Sequence, residues 1–125
     1  MTLFKYEYIL HKVMEEKVYQ AYLYDFYGEL LKESRRSVLE DYLFSDMSVS
    51  EIAQDKDITR QAAHDMIKRS IASLEGYEEK LGLLKKFLSA KKDIEDIEKL
   101  TTKESITKEE LSKINSLAAR ILEDF

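Results

Sequence analysis

Apolar side chains recur at intervals of three and four residues in successive segments of this chain, and that interval is the repeat of an amphipathic α-helix. In the segment KVYQAYLYDFYGELL, residues 17–31, six large apolar side chains follow the repeat: Tyr19, Tyr22, Leu23, Phe26, Tyr27 and Leu30. We expect these six side chains to belong to the core. Pro is absent and Gly occurs three times, so few residues interrupt regular helices. The sequence therefore predicts an all-α fold with long helices and short turns.

Capping residues indicate where three of the helices begin. Ser48 with Glu51, and Thr107 with Glu110, have the spacing of a capping box, in which two side chains satisfy the free amides at a helix start. Thr59 is placed to cap the helix that follows it. These three positions predict helices that start just after residues 48, 59 and 107.

Further helices are predicted from the apolar pattern alone. One begins near Ser34, and a charged helix is expected in DIEDIEKL, residues 93–100. The helix after Thr107 has a predicted apolar face made of Leu111, Ile114, Leu117, Ala118, Ile121 and Leu122. This tail is amphipathic and acidic, so we expect it to pack on the body of the protein or on a partner rather than to bind a phosphate backbone.

The middle of the chain has an apolar residue at every seventh position, namely Ile67, Leu74, Leu81 and Leu88. This spacing resembles a coiled-coil seam of about three heptads. Gly76 and Gly82 would each cost about 1 kcal/mol inside a helix, so the helix could end at either. The seam could pair with a second copy or pack against the Tyr-rich segment near residue 20. The face through Leu74, Leu81 and Leu88 is therefore a candidate homodimer surface.

Charge is distributed unevenly along the chain. The formal net charge is −5, yet residues 59–92 carry eight Lys and Arg against four Asp and Glu. We expect a single domain, in which residues 1–92 contain the functional motif and residues 93–125 form an acidic helical extension. The N-terminal segment has the pattern of neither a signal peptide nor a membrane span, and there is no Cys. These features predict a cytoplasmic protein without disulfides.

The stretch SVSEIAQDKDITRQAAHDMIKR, residues 48–69, has the pattern of a helix-turn-helix, in which one helix braces a second that enters the major groove of DNA. Ala53 provides the small contact between the helices, and Ile58 fills the turn. Asp57 stands where such turns often use Gly to adopt a left-handed backbone, which Asp tolerates better than most residues. Four residues of the second helix are expected to face inward: Ala62, Ala63, Met66 and Ile67.

The polar residues of the second helix suit nucleic-acid recognition. Arg60, His64 and Lys68 lie four residues apart on one stripe, and Arg60 and Gln61 occupy the first turn, where side chains reach base edges. Phosphate contacts are expected from Thr59, the first-turn amides, Lys68 and Arg69. Asp65 does not fit a phosphate-binding surface, unless it accepts a hydrogen bond from cytosine or orders a neighbouring Arg.

The stretch that runs from SVSEIAQ to YEEKLGLL resembles the YlxM family, small proteins of Gram-positive bacteria. The specific part of the resemblance is TRQAAHDMIKR followed by YEEKLGLL. The resemblance implies an all-α DNA-binding regulator, with a helix-turn-helix similar to the promoter-reading C-terminal domain of sigma factors. Genes of this family commonly neighbour those of the signal recognition particle. The resemblance thus also implies a link to that particle, through its RNA or one of its proteins.

Three functions remain open at this point. The first is duplex DNA binding by a homodimer, because two-fold proteins match two half-sites. The second is binding of the particle's RNA, which has a major groove too narrow for a helix, so the basic residues Lys85, Lys86, Lys91 and Lys92 would take part. The third is a protein adaptor that docks through residues 93–125. In that case the motif is an ordinary helical corner with a solvated charged stripe.

An enzymatic function is not expected. The chain has two His and no Cys, and it contains neither a Gly-rich phosphate loop nor a His and carboxylate cluster with metal-ligand spacing. We accordingly expect no catalytic residues, no metal site and no cofactor.

Overall fold

The computed structural model of the chain describes residues 15–125. These residues form six α-helices and no β-strand: α1 (Glu16–Tyr27), α2 (Glu33–Leu43), α3 (Val49–Lys56), α4 (Arg60–Leu81), α5 (Leu83–Thr101) and α6 (Lys108–Asp124). A short 3-10 helix, Gly28–Leu30, follows α1. The predicted all-α class is confirmed. No described helix is long and apolar enough to cross a membrane. The N-terminal segment, predicted to be neither a signal peptide nor a membrane span, lies almost entirely outside the described residues.

The chain divides into two compact units after Gly82. The described part of the first unit contains α1 to α4, and the second unit, Leu83–Phe125, contains α5 and α6. Helix α4 ends because Gly82 adopts a left-handed conformation (φ 64°), and its amide donates to the Glu78 carbonyl across 2.8 Å. That the two units belong to one domain stays a prediction.

The core of the first unit lies around α4, against which α1, α2 and α3 all pack. The residues that α4 buries recur with the helical repeat: Ala63, Ile67, Ser70, Leu74 and Glu78. Opposite them lie Leu23 of α1, Leu39 of α2 and Ile52 of α3, each fully buried. One long helix thus serves as the common support for three shorter ones.

The Tyr-rich helix α1 supplies part of this core, but not all of it as predicted. Tyr19, Leu23 and Tyr27 are buried, whereas Phe26 is 37% exposed and Leu30 is 58% exposed. The physical reason for Leu30 is that α1 ends at Tyr27 and the backbone tightens into the 3-10 helix, so residue 30 leaves the repeat. Gly28 occupies the junction because a Cβ there would lie 2.8 Å from the Tyr24 ring.

A polar contact joins α1 to the far end of α4. The Tyr27 hydroxyl donates to the Glu78 carboxylate across 2.6 Å, and both residues are buried. The Tyr27 ring also lies 6.1 Å from the ring of Tyr77, centroid to centroid. Of the two alternatives predicted for the middle of the chain, this contact agrees with packing of the helix against the Tyr-rich helix α1.

The predicted seam of about three heptads is wrong. The helix through these positions ends at Leu81, because Gly82 closes it. Leu74 is fully buried inside the first unit, whereas Leu81 is 52% exposed. Because Leu74 is buried within its own unit, it cannot belong to a surface that a second copy covers, and this candidate homodimer surface is withdrawn.

The second unit is an antiparallel pair of helices. Near the connecting turn Lys103 pairs with Glu110, and further from it Arg120 makes two hydrogen bonds to the buried carboxylate of Asp93, at 2.7 and 3.1 Å. The predicted capping box at Thr107 is present and starts α6. The charged helix predicted in residues 93–100 is continuous with the basic segment before it, since both belong to α5.

The apolar face predicted for α6 is only partly covered within its unit. Leu117 is buried and Ile114 and Ile121 are half-buried, but Leu111 is 54% and Leu122 is 78% exposed. Ala118 is exposed as well. Within this unit only one helix, α5, packs against α6. The stripe of α6 that α5 covers is narrower than the apolar face predicted from the sequence.

Candidate nucleic-acid interface

Helix α3 begins at the predicted capping box. The Glu51 amide donates to the Ser48 hydroxyl across 3.1 Å, and the Ser48 amide donates to the Glu51 carboxylate across 3.2 Å. Ile52 and Ala53 then turn inward and are buried, at 0% and 5% exposure. The small contact residue of the motif is therefore where the sequence pattern placed it.

The turn between α3 and α4 has the left-handed residue that was predicted. Asp57 has φ 56° and ψ 46°, and its amide donates to the carbonyls of Ala53 and Gln54. The next amide, of Ile58, donates to the Ala53 carbonyl across 3.0 Å, so two successive amides close the last turn of α3. Ile58 is half-buried. The turn thus forms without the Gly that is common at this position.

The side chain of Lys56 links α3, the first helix of the motif, to α2. Its ammonium group donates to the Ser37 hydroxyl across 2.7 Å and lies 3.4 Å from a carboxylate oxygen of Asp41. This side chain is two-thirds or more buried, so it is engaged inside the fold and is not placed to bind phosphate. The bracing of the second helix therefore involves α2 as well as α3.

Helix α4 begins immediately after the turn. The Ala62 amide donates to the Thr59 hydroxyl across 3.0 Å, which confirms Thr59 as the cap. All six residues predicted to bind nucleic acid are exposed, and we name this set the reader face: Thr59, Arg60, Gln61, His64, Lys68 and Arg69. Their accessibility is a structural fact, whereas their binding role stays a prediction.

The inward side of α4 differs from the predicted one at two positions. Ala63 and Ile67 are buried as expected, but Ala62 is exposed and Met66 is half-buried. Successive residues are rotated by about 100° around a helix axis, so Ala62 cannot share the face of Ala63, Ile67 and Ser70. The buried side is correspondingly narrower than the apolar pattern indicates.

The same geometry shows which residues occupy the centre of the solvent-exposed side. The direction opposite Ala63 and Ile67 passes through Asp65, and Gln61 and Arg69 lie on either side of it. His64 and Lys68 lie nearer one edge of this side, and Arg60 is rotated further, towards the direction of Ile67, where it is exposed at the start of the helix. Asp65, which the sequence pattern placed beside the basic stripe, therefore lies at the centre of the solvent-exposed side of α4.

Asp65 is engaged by its neighbours on the same helix. One carboxylate oxygen accepts a hydrogen bond from the Gln61 side-chain nitrogen across 3.0 Å, and Nδ1 of His64 lies 3.9 Å from that oxygen. The sequence pattern suggested cytosine or a neighbouring Arg as the partner of Asp65, whereas the partner in the structure is Gln61. The signal that could have found this bond is the spacing of four residues, at which Gln and Asp side chains meet on a helix.

The electrostatics of the motif favour modest binding of phosphate. Residues 59–72 contain three Lys or Arg and one Asp, a formal charge of +2. Glu51 and Asp55 are exposed on α3, where they oppose the approach of a phosphate backbone. The basic run that was the RNA alternative lies on α5, where Lys86, Lys91 and Lys92 are exposed. Among residues 15–125 there is no group of three side chains that could hold a metal ion.

Two helices joined through a left-handed residue, with a braced second helix that exposes polar side chains at its start, define a helix-turn-helix protein. Comparison with known families gives the same class. Residues 14–116 match the family UPF0122, described as "Putative helix-turn-helix protein, YlxM / p13 like". The chain belongs to this family, which confirms the YlxM resemblance. Membership of a helix-turn-helix family supports nucleic-acid binding and favours a non-enzymatic role.

Close relatives occur in the genus Bacillus. UPF0122 proteins of Bacillus cereus strain AH187, Bacillus anthracis strain A0248 and Bacillus thuringiensis subsp. konkukian strain 97-27 are each 39% identical to this chain over 102 residues. The matched region covers 82% of this chain and 93% of each relative. The similarity thus extends well beyond the helix-turn-helix itself.

Proposed function

We propose that this protein is a regulatory protein that binds duplex DNA through the reader face of α4. The observation that carries the proposal is the exposure of all six reader-face residues at the start of a helix that three other helices hold in place. A rigid, exposed helix start is the part of a helix-turn-helix that enters the major groove. Such a role requires access to the genome, so a cytoplasmic location is part of the proposal.

The reader-face residues divide between base and phosphate contacts. Arg60 and Gln61 stand in the first turn, where a guanidinium can pair with guanine and an amide with adenine. Lys68 and Arg69 lie two turns further on, where they suit the phosphates that flank the groove. Thr59 caps the helix through the Ala62 amide, and the proposal assigns the amides of Arg60 and Gln61 to one more phosphate.

The charges predict binding that is specific but weak for a single copy. Neutralising about three phosphates gives a slope of log K against log salt of about −3 for B-form DNA. One short reader helix also contacts few base pairs. The proposed binding form is therefore a homodimer on two half-sites, about one helical turn apart.

Selection from a randomised duplex pool, followed by binding titrations at several salt concentrations, tests this function. The Arg60→Ala/Gln61→Ala variant should lose sequence preference. The Lys68→Ala/Arg69→Ala variant should weaken binding to all sequences alike and make the salt slope shallower by about 2. Lys99→Ala/Lys113→Ala removes two exposed cations of the second unit and is the matched control. It should behave like the wild type.

RNA binding is the second candidate, and the observation that favours it is the exposed lysine group on α5. Lys86, Lys91 and Lys92 could contact the backbone of a folded RNA, although Lys92 lies 3.9 Å from Asp96 and is partly neutralised. The proposed link to the signal recognition particle belongs to this candidate. Titration with the particle's RNA beside a random duplex DNA separates the two. Loss of RNA binding in Lys86→Ala/Lys91→Ala, with DNA binding retained, would support it.

A further inference from the structure

At the centre of the solvent-exposed side of α4, the side chains of Gln61 and Asp65 are hydrogen-bonded to each other. The amide of Gln61 can donate and accept hydrogen bonds, whereas the carboxylate of Asp65 only accepts them. The Gln61 side-chain nitrogen donates to a carboxylate oxygen of Asp65 across 3.0 Å, one helical turn apart. Gln61 is exposed and the Asp65 side chain is 48% exposed. Both groups are therefore accessible to a base edge at the same time.

The chemistry of the pair determines how the Gln61 amide is oriented. An ionised carboxylate has no hydrogen to donate, so it can be approached only by the NH2 group of the amide. That leaves Gln61 with one free N–H and a free carbonyl oxygen on its outward edge. Without Asp65 the amide could turn over and offer two N–H groups instead.

We propose that Asp65 is a positioning residue that makes Gln61 select an A·T pair and reject guanine, an inference that rests on the proposed DNA-binding function. In the major groove adenine presents one acceptor, N7, and one donor, the N6 amino group. The free N–H and the free carbonyl of Gln61 match those two groups. Guanine presents two acceptors, N7 and O6, which require two donors. Because one N–H of Gln61 is already engaged by Asp65, only one remains, and Gln61 cannot satisfy both acceptors.

The Asp65 carboxylate adds to the same preference. It only accepts hydrogen bonds, so it repels the two acceptors of guanine and is compatible with the amino groups of adenine and cytosine. It also accounts for an acidic residue at the middle of a surface that otherwise carries three cations. The carboxylate reduces general affinity for phosphate and increases discrimination between bases.

The test compares Asp65→Ala with Asp65→Asn in selection from a randomised duplex pool. The base pair that Gln61 contacts is identified as the position at which Gln61→Ala loses its sequence preference. At that position, the wild-type protein should select adenine over guanine by about 5-fold to 150-fold. Asp65→Ala should lose most of this ratio while overall affinity rises, because a negative charge is removed. Asp65→Asn should also lose much of the ratio, because its side-chain NH2 group can donate to the Gln61 carbonyl and so lets the Gln61 amide turn over. A ratio that Asp65→Asn keeps in full would show that an acceptor-only partner is not what orients Gln61, and would overturn the positioning role.

Glu75→Ala is the matched control, because it removes one exposed negative charge from the same helix more than two turns away. It should leave the adenine to guanine ratio unchanged. If the wild type selects a sequence but Asp65→Ala keeps the ratio, the inference fails and the proposed function stands. If the wild type binds no duplex in a salt-dependent manner, the proposed function itself fails, and the inference with it.

Discussion

The amide of Ile58 donates to the carbonyl of Ala53 across 3.0 Å, and this bond closes the turn that aims the reader helix. Asp57 stands between them in the left-handed conformation, φ 56°. Most residues with a side chain disfavour this conformation by about 1–2 kcal/mol, and Asp and Gly tolerate it better. The geometry of the candidate interface thus depends on one unusual backbone position.

Substitution of Asp57 should affect stability according to backbone preference. Asp57→Val should lower the free energy of unfolding by about 1–2 kcal/mol, because a β-branched residue is strained at this φ. Asp57→Gly should be close to neutral. Urea denaturation of the three proteins measures this. Equal losses in both variants would mean that the Asp57 side chain, and not the backbone conformation, is responsible.

Removal of the α3 cap should destabilise the motif. Ser48→Ala removes the acceptor for the Glu51 amide and should cost about 1 kcal/mol. Ser50→Ala changes the same residue type at an exposed position inside α3 and is the control, expected within about 0.5 kcal/mol of wild type. Chemical denaturation gives both values. A Ser50 effect as large as that of Ser48 would refute the capping explanation.

The contact between α1 and α4 should be sensitive to a single oxygen atom. Tyr27→Phe removes the buried hydroxyl that donates to Glu78 and should cost about 1.5–3 kcal/mol, as hydrogen bonds to charged groups do. Tyr42→Phe removes a hydroxyl from a half-buried ring and should cost less. The comparison uses the midpoint of urea unfolding. A Tyr27→Phe protein as stable as the wild type would show that this bond contributes nothing.

The ion pair of the second unit should respond differently to removal of its two partners. Arg120→Met leaves the Asp93 carboxylate, 4% exposed, without its bidentate partner, and should cost about 1–3 kcal/mol. Asp93→Asn leaves an Arg whose side chain is 60% exposed and hydrated, so it should cost less. Thermal unfolding of both variants measures the order. The reverse order would contradict the proposed desolvation of Asp93.

The start of α6 should be sensitive to acid. The side-chain hydrogen bond from Lys103, followed by the backbone amide of Thr107, lowers the pKa of Glu110 below its ordinary value of 4.5. A lowered pKa contributes stability that is full above pH 4.5 and is lost as the pH falls through the folded-state pKa. Glu110→Gln should therefore be less stable than wild type at pH 7. The difference in melting temperature should shrink below pH 4.5, and a constant difference would contradict this.

Local features of the fold were predictable because they depend on neighbours in sequence. The caps at Ser48, Thr59 and Thr107 form as expected, since each needs only an oxygen at the right residue and a free amide two or three residues later. Asp57 adopts the left-handed conformation for a similar reason, because the choice lies in the residue's own backbone energy.

The features that were missed depend on contacts between helices or on side-chain geometry. The heptad spacing of Leu74 and Leu81 suggested one continuous face, but Gly82 ended the helix and Leu74 became fully buried against other helices. Ala62 was assigned inward because it is apolar, yet the narrow contact of α4 leaves it exposed. The position of Asp65 at the centre of the solvent-exposed side of α4 can be predicted only when the buried side of the helix is known.

DNA binding through α4 is tested most directly by the map of amide chemical-shift changes that a selected DNA duplex produces in the ¹⁵N-labelled full chain. We expect the largest changes between Thr59 and Arg69, with smaller ones in α3, and we expect them to disappear in Arg60→Ala/Gln61→Ala. Changes confined to α5, or a duplex that shifts no amide near residue 60, would contradict DNA binding through α4.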